Sequence, residues 1–180
     1  DGIGDCYHIS GIVWRNRHGM PQRLKDNIAH EIFSPCAAAA MYRRQALIDV
    51  GGFDEDFFCY VEDVDLGFRL RLAGYKAMYI PEAVVHHIGS ATTGGHRSDF
   101  SVYHGHRNLV WTYVKNMPGP LFWLLLPAHM LLNVVTIAYF SIRGQLRVIL
   151  RAKSDAIKGL PKAWHKRGKI QKERISCVRD

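Results

Sequence analysis

Gly51-Gly-Phe-Asp-Glu-Asp-Phe-Phe-Cys-Tyr-Val-Glu-Asp-Val-Asp65 is the stretch whose reading decides the fold. Six acids fall within twelve residues (Asp54, Glu55, Asp56, Glu62, Asp63, Asp65), interleaved with Phe53, Phe57, Phe58 and Tyr60. A solvated acidic loop has no use for four aromatic rings. The mixture points instead to carboxylates at the wall of a pocket, where burial and like-charge repulsion raise a pKa and equip one of them as a base.

Working outward, Glu62 to Ala73 reads as a helix. Leu66, Leu70 and Ala73 recur at i, i+4 and i+7, the acids open it, arginines follow and Gly74 ends it. Asp65 and Arg69 stand four apart and are expected to pair. Upstream, the alanine-rich Ala37 to Val50 reads as a helix with Arg43 and Arg44 mid-segment, stopped by Gly51-Gly52. Tyr7 to Trp14 suits a short strand or extended segment, followed by a polar loop through Asp26. Downstream, Tyr75 to Ile80 suits a strand ended by Pro81, and Ala83 to His87 a second extended piece. Gly89 to Gly95 suits a loop, and Asp99 to Asn116 an amphipathic helix ending before Pro118.

Together the ordered set resembles a known family. Ala38-Ala-Ala-Met-Tyr-Arg-Arg44, Gly51-Gly-Phe-Asp-Glu-Asp-Phe-Phe58, Tyr60-Val-Glu-Asp-Val-Asp-Leu66, Arg69, Gly74, Pro81 and His87-Ile-Gly-Ser90 resemble the second half of family 2 glycosyltransferases. The nearest branch is rhamnosyltransferase-like and builds bacterial surface polysaccharides. The resemblance runs from about residue 5 to 115. It implies an α/β chain: the C-terminal half of a GT-A fold, the Rossmann-like fold of nucleotide-diphospho-sugar transferases, followed by membrane-associated helices. The expected divisions are 1–117 for the acceptor and base half, 118–142 for a hydrophobic membrane-associated segment and 143–180 for a basic helical tail.

The resemblance also implies roles. Asp63 is the expected general base on an acceptor hydroxyl, in an inverting displacement that releases a nucleoside diphosphate, with Glu62 as a helper. Asp54, Glu55 and Arg44 fall on the acceptor side, although Asp54 equally suits capping its turn. His87 is the expected ligand of a divalent metal, Mg2+ or Mn2+. Among Arg97, His96, His104, His106 and Arg107, a contact to a diphosphate or lipid phosphate is conceivable, but each singly suits a surface role better. An Asp-x-Asp between strand and loop, a Gly-rich phosphate cradle and the Gln-x-x-Arg-Trp of processive synthases do not occur before or around these motifs. The chain therefore reads as part of a longer enzyme, inactive in isolation and transferring a single sugar when whole. Its polar start without an initiator Met fits that reading.

The net charge of +8 is unevenly spread. Residues 1–142 carry 12 Lys/Arg against 13 Asp/Glu, and residues 143–180 carry 12 against 3. Immediately before the basic part, Leu121 to Ile142 has no formal charge over 22 residues. As a helix it would run about 33 Å, enough for a hydrocarbon core of about 30 Å. Arg143, Arg147, Arg151, Lys153 and Lys158 place the tail on the cytoplasmic side. A cytoplasmic domain on the other side of the segment forbids a single span. A re-entrant or interfacial helix pair broken near Pro127 meets both constraints.

The expected location is thus the cytoplasmic face of a bacterial inner membrane. The expected partners are a nucleotide sugar, a glycan or polyprenyl-diphosphate-linked acceptor, and anionic lipid. The tail has Trp164 but no interleaved aromatics, so lipid suits it better than nucleic acid. Cys6, Cys36, Cys59 and Cys177 lie too far apart for a C-x-x-C pair and read as free thiols. The competing class is a non-catalytic membrane-tethering module that retains this part of the fold.

Overall fold

A computed structural model describes residues 2–21, 23–86 and 97–176. The organising element is a helix, α2 (Glu62–Leu72), because residues 64–69 and Leu72 are all buried. Val64, Leu66, Gly67, Phe68 and Leu72 are buried, and so are the charged Asp65 and Arg69. The rest of the chain wraps around it.

On one side lie two short antiparallel strand pairs. β1 (Asp5–Tyr7) pairs with β2 (Val13–Arg15), Cys6 opposite Trp14. β3 (His30–Ile32) pairs with β4 (Ala77–Tyr79), Glu31 opposite Met78. A bridge between Asp5 and Ser34 joins the two pairs. The described strand pairs are therefore antiparallel, and the parallel, Rossmann-like part of the expected fold is not among them. Tyr7, Phe33 and Phe68 form a ring cluster at 5.0–5.4 Å that packs this layer onto α2. Helix and strand layer meet closely at Gly67, where a side chain would stand 2.2 Å from Ser34 Oγ.

The alanine-rich stretch departs from expectation. Only Arg44–Val50 is α-helical (α1). Ala37–Ala39 form a single 3-10 turn, and residues 40–43 are extended. Helix propensity is weak beside tertiary demands; here the Ala37 N–H is turned toward Asp63 instead of a helical carbonyl. Gly51 closes α1 in the left-handed conformation at φ 78°. Residues 83–86 form no strand.

On the other side of α2, α3 (Asp99–Asn116) begins at an N-cap, Ser98, whose hydroxyl accepts the Ser101 N–H. α4 (Gly119–Ile142) follows as one continuous helix through Pro127, correcting the expected break there. The body holds it at several points. Phe122 lies in a core with Tyr113, Val114, Met117 and Ala163. His129 stacks on Tyr113 at 4.0 Å and donates from Nδ1 to the Ser10 carbonyl at 2.8 Å. Phe140 meets the ring of His106 at 4.8 Å. Gly11 is required beneath His129, since a Cβ there would lie 2.7 Å from Nδ1.

α5 (Leu146–Lys158) and α6 (Leu160–Lys172) then fold back onto α3. Trp111 Nε1 donates to the Ala156 carbonyl, and Arg167 donates to the carbonyls of Val114 and Met117. The chain finally returns to α2, where the N–H groups of Ile175 and Ser176 both reach the Leu72 carbonyl. The basic tail is thus integral to the body and not a separate appendage. Cys6, Cys36 and Cys59 are free thiols.

Candidate functional site

The site begins with how α2 is started. Val61, its N-cap, is left-handed at φ 69°, Tyr60 also has a positive φ of 62°, and Phe58 at φ 64°, ψ −62° makes a γ-turn closed by the Cys59 N–H on the Phe57 carbonyl at 2.8 Å. Such values are unusual for residues with a Cβ, and most of all for a β-branched one. They turn the chain sharply so that Glu62 and Asp63 emerge at the exposed end of an otherwise buried helix. Three acids in this first turn (Glu62, Asp63, Asp65) complement its dipole.

Asp63 is anchored through its backbone and both carboxylate oxygens. Ser34 Oγ donates to its carbonyl at 2.8 Å. Its Oδ2 accepts the Ala37 N–H at 3.2 Å and its Oδ1 accepts the Val64 N–H at 2.9 Å. Each oxygen retains a lone pair for another donor. Glu62 sits beside it, and its buried Oε2 has no hydrogen-bond partner. Burial first, and the charge of Asp63 second, raise the Glu62 carboxyl to about 7.

A third carboxylate joins them that sequence reasoning missed. Asp5 is buried; burial and the nearby Asp63 raise it to about 6, against the pull of Arg15, whose Nε donates to it at 3.1 Å. Tyr42 closes the group. Its buried hydroxyl lacks a partner, and burial together with Asp63 raises its pKa. A cleft of about 960 Å3 opens alongside, lined by Arg15, Cys36, Ala38, Tyr42, Tyr75 and Val84 among others. Three neighbouring acids, of which Glu62 keeps an unpartnered oxygen, stand next to Tyr42, which lines this cleft although the acids themselves do not; such a group has the ingredients of proton transfer to or from a bound hydroxyl.

The other acids of the motif serve a different purpose. Asp65 is 0% exposed and bonds Arg69 Nε at 2.9 Å, Lys115 Nζ at 3.0 Å and Asn116 Nδ2 at 2.8 Å. The expected Asp65–Arg69 pair is present and belongs to a larger network. Asp54 caps its turn by accepting the Asp56 N–H at 3.1 Å, and ion-pairs with Lys115 and Lys166, both at 2.5 Å. Burial opposes its charge, but the two lysines outweigh it and hold the carboxyl at about 2. Asp56 pairs with Lys162 and Lys166, both at 2.6 Å. Glu55 and Arg44 are exposed, the latter at the start of α1.

Among the remaining candidates, Arg107 is turned inward. It donates to the carbonyls of Asp56 and Phe57 and lies 4.4 Å from the centre of the Trp111 ring. His104 packs against Phe58 and Phe100, and His106 against Phe140. His87 and His96 lie outside the described residues. Among the described residues, no three His, Cys, Asp or Glu side chains are grouped so as to hold a metal. Those present therefore do not by themselves fit the divalent ion that the resemblance implies.

Sequence reasoning also missed Asn108. Its signal is legible in retrospect: Asn108, Thr112, Lys115 and Asn116 recur at helical spacing on α3, and all are buried. Of this stripe, Asn108 and Lys115 meet polar groups of the acidic loop, and Lys115 and Asn116 meet Asp65 of α2.

Known proteins are similar to this chain in sequence. The family described as "Glycosyl transferase family group 2" matches residues 6–150. An N-acetylglucosaminyl-diphospho-decaprenol L-rhamnosyltransferase of Mycobacterium tuberculosis is 34% identical over 124 residues, 66% of this chain and 38% of the relative. The same figures hold for strains CDC 1551 / Oshkosh and ATCC 25618 / H37Rv. Rhamnosyltransferase WbbL of Escherichia coli (strain K12) is 45% identical over 47 residues, 26% of this chain and 18% of the relative. The chain thus spans well under half the length of these curated relatives. No solved structure matches it. With a family match across most of its length, carrying the acidic helix start, the cleft and the helices behind them, the chain belongs to glycosyl transferase family group 2.

Proposed function

We propose that this chain is the acceptor-side, base-carrying part of an inverting glycosyltransferase that moves a sugar from a nucleoside diphosphate to a lipid-linked glycan in bacterial surface polysaccharide synthesis. By kinship the sugar is L-rhamnose and the acceptor an N-acetylglucosaminyl-diphospho-polyprenol, after the mycobacterial relative's name. The observation that carries this reading is the Glu62–Asp63 pair at the mouth of a buried helix, beside Asp5 and a cleft.

In the proposed step, Asp63 accepts the proton of an acceptor hydroxyl as its oxygen attacks the anomeric carbon. The carbon–oxygen bond to the diphosphate breaks from the opposite face, the nucleoside diphosphate leaves, and the configuration inverts. Glu62, poised near 7, shares the local proton and tunes the basicity of its neighbour. Glu55 and Arg44, both exposed, are free to meet acceptor hydroxyls or phosphate. Asp54 acts from behind, as the cap and ion-pair anchor of the loop.

The same reading puts the protein on the cytoplasmic face of the bacterial inner membrane. α4 is long and apolar enough to cross a bilayer, yet little of it is buried in the body. Trp123, Leu124, Leu131, Val134 and Ile142 are exposed, and exposed Arg143, Arg147 and Arg151 follow. Contacts from Phe122 to Phe140 tie the helix to the body over about 27 Å of its length. A helix held along its side in this way suits lying in the interface, with basic residues toward anionic headgroups, better than crossing.

The test is transfer by the full natural polypeptide from nucleoside diphosphate-activated L-rhamnose to N-acetylglucosaminyl-diphospho-polyprenol. The expected result is a rhamnosylated lipid with inverted anomeric configuration. Binding of anionic vesicles with no transfer from any nucleotide sugar would favour the tethering module instead.

A further inference from the structure

The most strained part of the backbone is also the part that delivers Glu62 and Asp63. Among the described residues, the non-glycine positions with positive φ are Arg17, Phe58, Tyr60 and Val61, so three of the four fall within four consecutive residues. A backbone so far from its ordinary preference persists only where its surroundings over-determine it. Here the surroundings come chiefly from one side chain.

Asn108 is completely buried on α3. Its Nδ2 donates to the carbonyls of Phe57 at 3.0 Å, Cys59 at 2.8 Å and Tyr60 at 2.8 Å. Three carbonyls from four consecutive residues thus point at one amide, a convergence impossible for a regular helix or strand. The orientation of that amide is fixed independently. Arg107 Nε donates to Asn108 Oδ1 at 3.0 Å, which leaves Nδ2 facing the loop. Arg107 adds bonds from Nη2 to the carbonyls of Asp56 and Phe57. Below the clamp, the Val61 carbonyl accepts the Asp65 N–H at 2.9 Å and so opens α2. The path from Asn108 to the carboxylates is therefore short: clamp, loop, N-cap, Glu62, Asp63.

We propose that Asn108 is a positioning residue for sugar transfer: its amide holds the strained turn of residues 58–61, with its positive-φ Phe58, Tyr60 and Val61, and thereby sets where Glu62 and Asp63 stand. It touches no reacting atom. The inference rests on the transferase reading above, and its test includes one arm that does not.

In the full natural polypeptide, Asn108→Ala removes the three bonds, and Asn108→Asp keeps the shape while turning a carboxylate toward three carbonyls. Both are expected to lower kcat at least tenfold while KM for the nucleotide sugar changes less than threefold. Adding Val61→Gly to Asn108→Ala is expected to recover part of the lost kcat, because glycine adopts the left-handed conformation without strain. Amide hydrogen exchange over residues 57–63 is expected to accelerate in Asn108→Ala, whether or not the protein transfers any sugar.

Unchanged kcat per folded molecule with only a lowered melting temperature would overturn the proposal, as would unchanged exchange over 57–63. Accelerated exchange in Asn108→Ala, combined with a wild-type protein that transfers no sugar, would uphold the clamp and reject the transferase reading instead. Should Asn108→Ala not fold, Arg107→Met, which frees the amide to rotate, carries the same kcat and exchange expectations.

Discussion

Asp5, Glu62 and Asp63 are three carboxylates that the fold presses together, and the titration of Asp5 and Glu62 should be visible in stability. Asp5 is raised from 3.8 to about 6 and Glu62 from 4.5 to about 7, both mainly by burial. A raised folded-state pKa favours the protonated form, so the associated stability is present below about pH 4 and is lost as pH rises through 4 to 7. Asp5→Asn and Glu62→Gln remove that loss. Each variant should therefore gain stability relative to wild type at pH 8 compared with pH 4, as read by urea unfolding at the two pH values. Asp54 runs the other way: held at about 2, it contributes stability above about pH 4 that disappears as pH falls toward 2.

Only part of this trio was legible from sequence. Glu62 and Asp63 announce themselves through the aromatic company they keep. Asp5 does not, because nothing near residue 5 reveals that a bridge to Ser34 will bring it beside residue 63. Asp54 looked equally suited to binding sugar or capping a turn, and only the lysines of distant α3 and α6 decide what it does.

Among the elements, α2 was the most legible, since its acids, arginines and terminal Gly74 all act locally. Its burial on every side was less so, because the partners that satisfy Asp65 come from fifty residues away. Removing one of them should be severe. Lys115→Ala leaves Asp65 and Asp54 short of a cation in a buried setting, and a loss of about 3–5 kcal/mol is expected in denaturant unfolding.

The alanine stretch and Pro127 show opposite failures of local reasoning. Ala37–Ala40 favours helix but is held in a turn and extended segment that reaches Asp63. Pro127 disfavours helix by about 3 kcal/mol, yet α4 continues because rings of the body grip it on either side at Phe122, His129 and Phe140. The exposed face of α4 gives its own test. Leu131→Asp with Val135→Asp should abolish flotation with anionic vesicles without lowering solubility, and retained flotation would remove α4 from the membrane contact.

For the whole molecule, the charge pattern means something different from what its composition suggests. The excess of cations after residue 142 looked like a surface offered outward. Lys162 and Lys166 instead pair with Asp54 and Asp56, Arg167 bonds the carbonyls of Val114 and Met117, and Lys153, lowered to about 8 by burial, reaches the His106 carbonyl. What remains outward lies near the end of α4 and along α5 (Arg143, Arg147, Arg151, Lys158), with Lys169 and Lys172 on α6. The tail thus closes over the back of the acidic loop that leads into Glu62 and Asp63. Lys166→Ala should loosen α6 from the body, lowering the melting temperature by a few degrees and raising proteolysis within residues 160–172.

The most direct test is the initial rate of sugar transfer by the full natural polypeptide carrying Asp63→Asn, with Asp49→Asn, on the exposed face of α1, as the control. If Asp63 is the base, its amide variant folds as wild type and transfers at least a hundredfold more slowly, while the control stays within twofold. Near-normal transfer by Asp63→Asn would contradict the assignment of the base to this residue.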